Sequence, residues 1–263
     1  MSNRQLRKYA PWITTPLLFV ALIFAWDAYV AGFQVSPLIL PSPGQVWTAL
    51  VRILKDARTL GHAWTTLYET LAGFGIAIVV GVVLGALLGK VAWLERTLNP
   101  FIVALQVMPK VALVPLFIVW FGFGPTSKVV MAAVLAFFPI MTNTILGIKS
   151  VDLGHRELMV SLNANSWQTL RELELPTALP YLLTGAEIGI VLAIIGAIVG
   201  EYLGGSQGLG YMAVATMNAF DVSAMFAVIG LLTLMGFVLY FVVVSLRKYI
   251  TPWHESVLVT KDG

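Results

Sequence analysis

The sequence contains no cysteine and few charged residues. Without cysteine, the chain forms no disulfide and offers no thiolate ligand to a metal ion. Charged residues make up 11% of the 263 residues, whereas 59% are hydrophobic and the mean hydropathy is +0.88. This composition leaves too little polar surface for a water-facing exterior, so the sequence predicts a polytopic membrane protein. The net charge of +3 is small and does not favour nucleic-acid binding.

The sequence also lacks the glycine-rich loop that binds ATP phosphates. The pattern G-x-x-x-x-G-K-[ST] occurs nowhere, because Gly89-Lys90 has neither the upstream glycine nor the following serine or threonine. The three histidines (His62, His155 and His254) are scattered and indicate neither a metal cluster nor a catalytic triad. We therefore predict no catalytic residue, no metal site and no cofactor on this chain. If ATP drives the protein, a separate subunit holds ATP and Mg²⁺ and hydrolyses the nucleotide.

Six apolar runs are long enough to cross a membrane. The first, at about 10–31, follows a basic start and is longer than a usual signal-peptide core, with no A-x-A cleavage site, so we expect an uncleaved anchor. Each of the others is near the ~20 residues that cross about 30 Å of hydrocarbon. They lie at roughly 64–89, 98–122, 128–148, 182–203 and 223–246. The sequence therefore predicts an all-α protein with six transmembrane helices.

The basic residues predict the orientation of these spans. Six spans place both termini on one side of the membrane. Taking the amino terminus as cytoplasmic puts most of the 16 lysines and arginines on the cytoplasmic side, as the positive-inside rule requires. Both termini are therefore expected to be cytoplasmic.

Residues 32–60 are too polar and too interrupted to span a membrane. Pro41 and Pro43 mark a turn, after which apolar residues recur at helical spacing opposite polar ones. Two interpretations remain open: an amphipathic helix that lies on the membrane surface, or an ordinary surface helix packed on the protein. The apolar stripe consists of Val46, Trp47, Leu50, Val51, Leu54 and Ala57.

Glycines repeat every four residues in two of the spans. Small residues at this spacing let helices approach closely in lipid. We expect packing within one chain, with a seam between two copies as the alternative. The repeats are Gly81, Gly85 and Gly89 in the second span, and Gly185, Gly189, Gly196, Gly200 and Gly204 in the fifth.

The third span contains Pro100, Pro109 and Pro115, which predict a kinked helix that is buried in protein or lines a water-filled path. Lys110 lies near its middle, where a charge is costly unless paired or wet. An ion pair with Glu69, Glu187 or Glu201, or snorkelling, is the structural explanation; contact with an anionic solute is the functional one. The candidate path residues are Lys110, Pro109, Pro115, Thr142, Asn143 and Glu201.

Residues 157–176, hereafter the polar segment, interrupt the apolar second half of the chain. The pattern predicts two short helices, the first capped by Asp152 and broken at Asn163-Ala164-Asn165, where asparagine tolerates a left-handed backbone. Ser166 is expected to cap the second helix and Pro176 to stop it. A helical knob between two membrane helices is either a docking element or a structural loop.

The spacing within the polar segment matches a known motif. Glu157, then Asn163, then Leu173-Glu174-Leu175-Pro176 resembles the EAA motif of permease subunits of bacterial ATP-driven (ABC) importers: Glu-Ala-Ala, three residues, Gly, nine residues, Ile-x-Leu-Pro. The chain departs from it at Leu158, Met159, Asn163 and Leu173 but keeps the spacing. Stretches 41–50, 108–124, 137–152 and 201–210 are similar to the nitrate/taurine/sulfonate branch of this family, and the resemblance covers roughly residues 40–250.

The resemblance implies a type I (MetI-like) permease fold in the bacterial inner membrane. Two copies would form a homodimeric pore, cytoplasmic ATPase subunits would clasp the polar segment as a coupling helix, and a periplasmic or lipid-anchored binding protein would deliver the solute. Transport would proceed by alternating access. The branch implies a small anionic or zwitterionic solute such as nitrate, a sulfonate or taurine. The implied ATPase contact consists of Glu157, Leu162, Asn163, Trp167, Leu170, Leu175 and Pro176.

This implies five parts of the chain: a cytoplasmic tail (1–9), a first transmembrane helix (10–31), a periplasmic interfacial segment (32–60), a core permease domain (61–248) with the coupling loop (149–180), and a cytoplasmic tail (249–263). A secondary transporter or channel without an ATPase is the alternative, but its expected paired broken helices are absent from the pattern. A membrane anchor for a soluble complex would explain the polar segment but not the prolines or Lys110.

Overall fold

The computed structural model describes residues 3–252, so most of the predicted tail at 249–263 lies outside the described residues. This part of the chain contains helices and no β-strand. The helices are α1 (Asn3–Gly32), α2 (Pro43–Lys55), α3 (Ala57–Lys90), α4 (Ala92–Val107), α5 (Val114–Phe121), α6 (Pro125–Lys149), α7 (Leu153–Ser161), α8 (Ser166–Thr169), α9 (Leu175–Gly204), α10 (Leu209–Asn218) and α11 (Val222–Ile250). A 3₁₀ turn (Lys110–Leu113) precedes α5, and a π turn (Leu170–Glu174) joins α8 to α9.

Five helices, α1, α3, α6, α9 and α11, contain stretches long and apolar enough to cross a membrane. The remaining span, the third in chain order, is broken: α4 and the segment Lys110–Phe121 meet at 85°. The break falls at Met108-Pro109, where proline has no N–H for the helical ladder. Five predicted spans are thereby confirmed as long apolar helices, and the two arms of the broken segment make a sixth when they are counted as one span. The predicted kink in the third span is a break between two helices. Helix α1 begins at Asn3, before the predicted start of the first span at residue 10.

The core is formed where α3, α6 and α9 cross. Alanines on α6 and α9 are completely buried there, among them Ala132, Ala136, Ala193 and Ala197. Short side chains allow the helix axes to approach closely, and in lipid this close packing replaces the hydrophobic effect as the attraction between helices. Helix α11 covers one side of this core with Leu239 and Val243.

The predicted glycine repeats pack within the chain, as expected. A Cβ added at Gly85 would lie 2.6 Å from Thr144 Cβ, and one at Gly196 would lie 2.8 Å from Ala132 Cα. Both partners belong to α6, so α3 and α9 approach α6 from two sides through their glycine faces.

An alanine at Gly73 tests this packing. Its Cβ would lie 2.5 Å from Ala132 Cβ and 2.6 Å from the Val129 carbonyl oxygen, so we expect the Gly73→Ala variant to lose ~1–3 kcal/mol of stability through overpacking. Gly75 is the matched control in the same helix, because no heavy atom lies within 4 Å of its added Cβ. Thermal unfolding in detergent measures both. Equal melting temperatures for the two variants would contradict the packing.

Helix α2 packs on the protein through one face. Ala49 and Ile53 are buried against α10 and α11, and Arg52 pairs with Asp221 at 2.6 Å. The helix is therefore packed on the protein, but not through the stripe that the sequence predicted. Of that stripe, Val46 and Leu50 are half-buried beside Ala49 and Ile53, whereas Trp47, Val51, Leu54 and Ala57 are exposed.

Candidate functional site

The polar segment has the predicted turn but a different second cap. Asp152 accepts the Gly154 N–H at 2.7 Å, and Asn163 adopts φ +54°, which confirms the first cap and the left-handed break. The second cap was predicted at Ser166 and is instead Asn165. Its Oδ1 accepts the N–H groups of Trp167 and Gln168. The Asn165 N–H in turn donates to Gln168 Oε1, and these reciprocal hydrogen bonds form a capping box.

Pro176 does not end the second helix, contrary to the sequence prediction. It is the second residue of α9, and the helical path continues from Ser166 to Gly204. The π turn explains the continuity: the Leu175 N–H bonds to the Leu170 carbonyl five residues earlier. This wider turn accommodates a proline that has no N–H to donate.

Apolar side chains of the polar segment point away from the protein. Leu162 and Trp167 are 67% and 65% exposed, and Leu158 is also exposed. Glu157 and Asn163 share this exposure. Large exposed apolar side chains on a polar segment mark an interaction site. The other candidate contact residues, Leu170 and Leu175, are half-buried, and Pro176 is exposed.

Glu174 is a functional candidate that the sequence reasoning missed. Its carboxylate is fully buried and accepts from Arg156 Nη1 at 2.7 Å and from Lys90 Nζ at 3.1 Å. Each of the two cations also donates to a backbone carbonyl: Lys90 to Ser166 O, and Arg156 Nη2 to Ile148 O. Through these two side chains, the Glu174 carboxylate connects the ends of α3 and α6 to α7 and α8 of the polar segment. In the sequence, Glu174 stands out only as the acidic residue of Leu173-Glu174-Leu175-Pro176, the last part of the motif, before the predicted span at 182–203.

Lys110 has no carboxylate partner among residues 3–252. Its Nζ donates to the Gln106 carbonyl at 3.1 Å and lies 4.9 Å from the centre of the Phe138 ring, a cation–π contact. Two of the three glutamates proposed as partners are engaged elsewhere: Glu187 lies 3.0 Å from Arg247, and Glu201 accepts the Thr66 hydroxyl. Within the described residues, Lys110 therefore does not form the ion pair that the sequence analysis offered as its structural explanation.

Glu201 is held inside the chain at the end of the bundle opposite the polar segment. It is 1% exposed, accepts from Thr66 Oγ1 and the Gly210 N–H at 2.6 Å each, and Thr66 in turn accepts the Leu209 N–H at 2.8 Å. Among the candidate path residues, Glu201 thus joins α3, α9 and α10. Glu69 is buried beside it.

Lys128 lies in the same region and was also missed. Its ammonium donates to the carbonyls of Phe123, Gly124 and Gly204, which uses all three of its protons. A buried lysine in the first turn of α6 thus holds the α5–α6 connection against the end of α9.

The remaining candidate path residues lie near the middle of the bundle or at the break. Thr142 and Asn143 are half-buried and donate to carbonyls of their own helix, Phe138 O and Pro139 O, at 2.9 and 2.8 Å. Pro109 and Pro115 are exposed on either side of the 3₁₀ turn. The structure brings Lys110 and Phe138 together, whereas Glu201 lies in the separate buried cluster.

Comparisons with known proteins agree with this architecture. A family model described as the binding-protein-dependent transport system inner membrane component matches residues 77–254. The chain is 36% identical to the formylaminopyrimidine transport permease protein ThiX of Halalkalibacterium halodurans over 91% of this chain and 95% of that one. It is also 36% identical to the riboflavin transport system permease protein RibX of Chloroflexus aurantiacus over 96% and 95%.

Two further likenesses extend the comparison. The chain is 30% identical to the putative aliphatic sulfonates transport permease protein SsuC of Bacillus subtilis, over 95% of this chain and 91% of that one. Among solved structures, an inward-facing conformation of the MetNI methionine ABC transporter matches with a TM-score of 0.65 at 23% identity, over 73% of this chain and 95% of that one. The last likeness concerns the fold.

Proposed function

The chain belongs to the family of inner-membrane components of binding-protein-dependent transport systems, and on this basis we propose the parts that its residues play in an importer. It is a multi-pass permease subunit of an ABC importer, a type of transporter in which an ATPase and a substrate-binding protein are partners. In this proposal the chain catalyses no reaction and binds no cofactor, and ATP with Mg²⁺ is held by the ATPase.

The polar segment is the ATPase-coupling element of this proposal. The supporting observation is that Leu162 and Trp167 are exposed on the polar segment, while the buried Glu174 carboxylate attaches this segment to the membrane helices. Exposed aromatic and aliphatic side chains provide the apolar anchors of an interface. This attachment matters because a loosely attached polar segment would not transmit the movement of the ATPase to the spans.

The assembly in this proposal contains two copies of the chain, with both termini and the polar segment in the cytoplasm. Two ATPase subunits clasp the two polar segments, the binding protein docks at the opposite end, and lipid surrounds the spans. ATP binding closes the ATPase dimer and switches the cavity from inward- to outward-facing. The observation that supports the orientation is the concentration of lysine and arginine on one side of the predicted spans.

The proposed cargo is a small anionic or zwitterionic solute, in the class of nitrate, sulfonates and taurine. The supporting observation is Lys110, a cation without a carboxylate partner among the described residues, at the break of the third span. A second candidate cargo is a neutral flat heterocycle, because the two relatives at 36% identity are named for formylaminopyrimidine and riboflavin and the lining around Lys110 is apolar and aromatic.

Co-purification of an ATPase tests this function. We expect the tagged wild-type chain, purified in detergent from its native membranes, to carry ATP hydrolysis activity and a subunit with a P-loop sequence. Glu157→Ala and Trp167→Ala should lose most of that subunit, since both residues lie exposed on the polar segment. Trp47→Ala is the matched control, because Trp47 is similarly exposed (67%) but lies on α2.

The outcome separates the two classes of transporter. Retention of the ATPase by wild type and Trp47→Ala, with loss from both polar-segment variants, supports the coupling role. If no ATPase accompanies any of the four proteins, the coupling proposal is contradicted and a transporter without an ATPase becomes the better explanation.

A further inference from the structure

An apolar cavity of about 340 Å³ lies inside the angle of the broken span. Helices α3 and α6 form its floor, and the end of α4, the 3₁₀ turn and α5 form its sides. Lys110 is the one charged residue in a lining that is otherwise aliphatic and aromatic. Representative lining residues are Ile76, Val80, Leu105, Phe117 and Phe137.

The cavity is at mid-depth in the bundle. Phe138, which the Lys110 ammonium faces at 4.9 Å, is 13 residues after Pro125 and 11 residues before Lys149, the two ends of α6. At 1.5 Å per residue these separations are about 20 and 17 Å. A lipid phosphate lies at the edge of a hydrocarbon layer about 30 Å thick, and therefore about 15 Å from this depth. The ammonium thus lies out of reach of lipid headgroups.

The Lys110 ammonium has bonding capacity to spare. The group has three N–H donors, and one of them bonds the Gln106 carbonyl. The Phe138 ring attracts the ammonium through a cation–π contact but is no hydrogen-bond acceptor of ordinary strength. Non-helical backbone at this depth, as at Met108-Pro109, is tolerated where it lines a cavity or is buried in protein. An ionisable side chain at such a point is a functional-site candidate.

We propose that this cavity binds an organic anion, with the anionic group on the Lys110 ammonium and an apolar or aromatic body against the lining. This inference rests on the proposed function and narrows its cargo class. An inorganic anion such as nitrate would contact only Lys110 and leave the apolar cavity unfilled, whereas a hydrocarbon or aryl body gains from burial in proportion to the area removed from water. The aromatic side chains Phe117, Phe137 and Phe138 favour a flat body.

Binding of radiolabelled benzenesulfonate tests the inference. The probe is titrated by equilibrium dialysis onto the full-length chain in lipid nanodiscs, and the signal of empty nanodiscs is subtracted. We expect saturable binding to wild type, displaced far more weakly by nitrate, taurine or neutral benzamide than by unlabelled benzenesulfonate. Lys110→Gln should raise the Kd about tenfold or more, and Lys110→Arg should keep it within about threefold because the charge is retained.

A second pair of variants tests the cavity separately from the charge. Val80→Trp places an indole in the cavity and should also raise the Kd about tenfold, although Lys110 is unchanged. Val79→Trp is the matched control, because Val79 is the adjacent exposed residue on α3 and does not line the cavity. Melting temperatures of all variants establish that they are folded.

Three results would overturn the inference. They are equal binding by wild type and Lys110→Gln, displacement by nitrate as effective as by benzenesulfonate, and a tightly bound phospholipid that native mass spectrometry finds in wild type but not in Val80→Trp. ATPase co-purification is independent of the probe. A wild-type chain that carries the ATPase but does not bind benzenesulfonate therefore refutes the cargo class while the importer function stands.

Discussion

The Glu174→Ala variant is expected to free the polar segment from the membrane bundle and to lose the ATPase. Removing one partner of a fully buried ion pair costs ~3–5 kcal/mol, because the other charge is left buried and unpaired. Here the side chains of Lys90 and Arg156 keep 32% and 34% exposure, so water replaces part of the lost contact and we expect ~1–3 kcal/mol. The loss of stability is local to the polar segment, because the hydrogen bonds of Glu174 to Lys90 and Arg156 lie where this segment joins the membrane helices.

Limited trypsin digestion measures this local loss. Arg171 is exposed within the π turn and becomes a better cleavage site when the segment opens. Cleavage after Arg171 should accelerate about tenfold in Glu174→Ala and less in Glu174→Gln, which keeps the shape and one acceptor oxygen.

Glu157→Ala provides the contrast. Its carboxylate is exposed, so the variant should lose the ATPase while cleavage after Arg171 stays at the wild-type rate. Docking and anchoring are thus separable by two measurements. A wild-type cleavage rate in Glu174→Ala would show that the buried ion pairs do not hold the knob.

The spans and the broken helix were predictable because they depend on local patterns. Apolar run length is set by membrane thickness, and Pro109 removes a backbone donor wherever it stands. The second cap was also accessible in principle: Asn165 with Gln168 three residues on has the spacing of a capping box, and Ser166 with Thr169 does not. The continuation through Pro176 was not accessible, because a π turn has no established sequence pattern of its own.

The buried charges were not predictable from local patterns. Glu174 meets Lys90 across 84 positions of sequence, and Glu201 meets Thr66 across 135. Which charged side chains meet depends on how far each helix is shifted along its neighbours. That shift is set by the glycine and alanine faces of α3, α6 and α9, and no spacing within one helix reveals it. For the same reason, the sequence could place Lys110 in a span but could not exclude an ion pair.

Glu201→Leu is expected to disrupt the end of the bundle opposite the polar segment. Glu201 accepts the Thr66 hydroxyl and the Gly210 N–H at 2.6 Å each, and leucine at position 201 can accept neither. The Thr66 hydroxyl can still donate to the His62 carbonyl, 3.3 Å away, whereas the Gly210 N–H is left buried without this acceptor. Leaving one buried donor without a partner costs ~1–3 kcal/mol, and we expect a loss of this size, measured as a lower melting temperature in detergent.

Glutamine at position 201 should recover most of this loss, because its amide oxygen can accept the Gly210 N–H and its NH₂ group can donate to the Thr66 oxygen once that hydroxyl donates to the His62 carbonyl. Thr66→Ser is the matched control: it keeps the hydroxyl and should unfold close to the wild-type temperature. The comparison separates hydrogen bonding from charge, because glutamine and leucine are both neutral and only glutamine can accept a hydrogen bond. If Glu201→Gln is as unstable as Glu201→Leu, an acceptor at position 201 does not stabilise the bundle, and the donor argument fails. If Glu201→Gln is clearly more stable than Glu201→Leu, hydrogen bonds to residue 201 are what join α9 to α3 and α10.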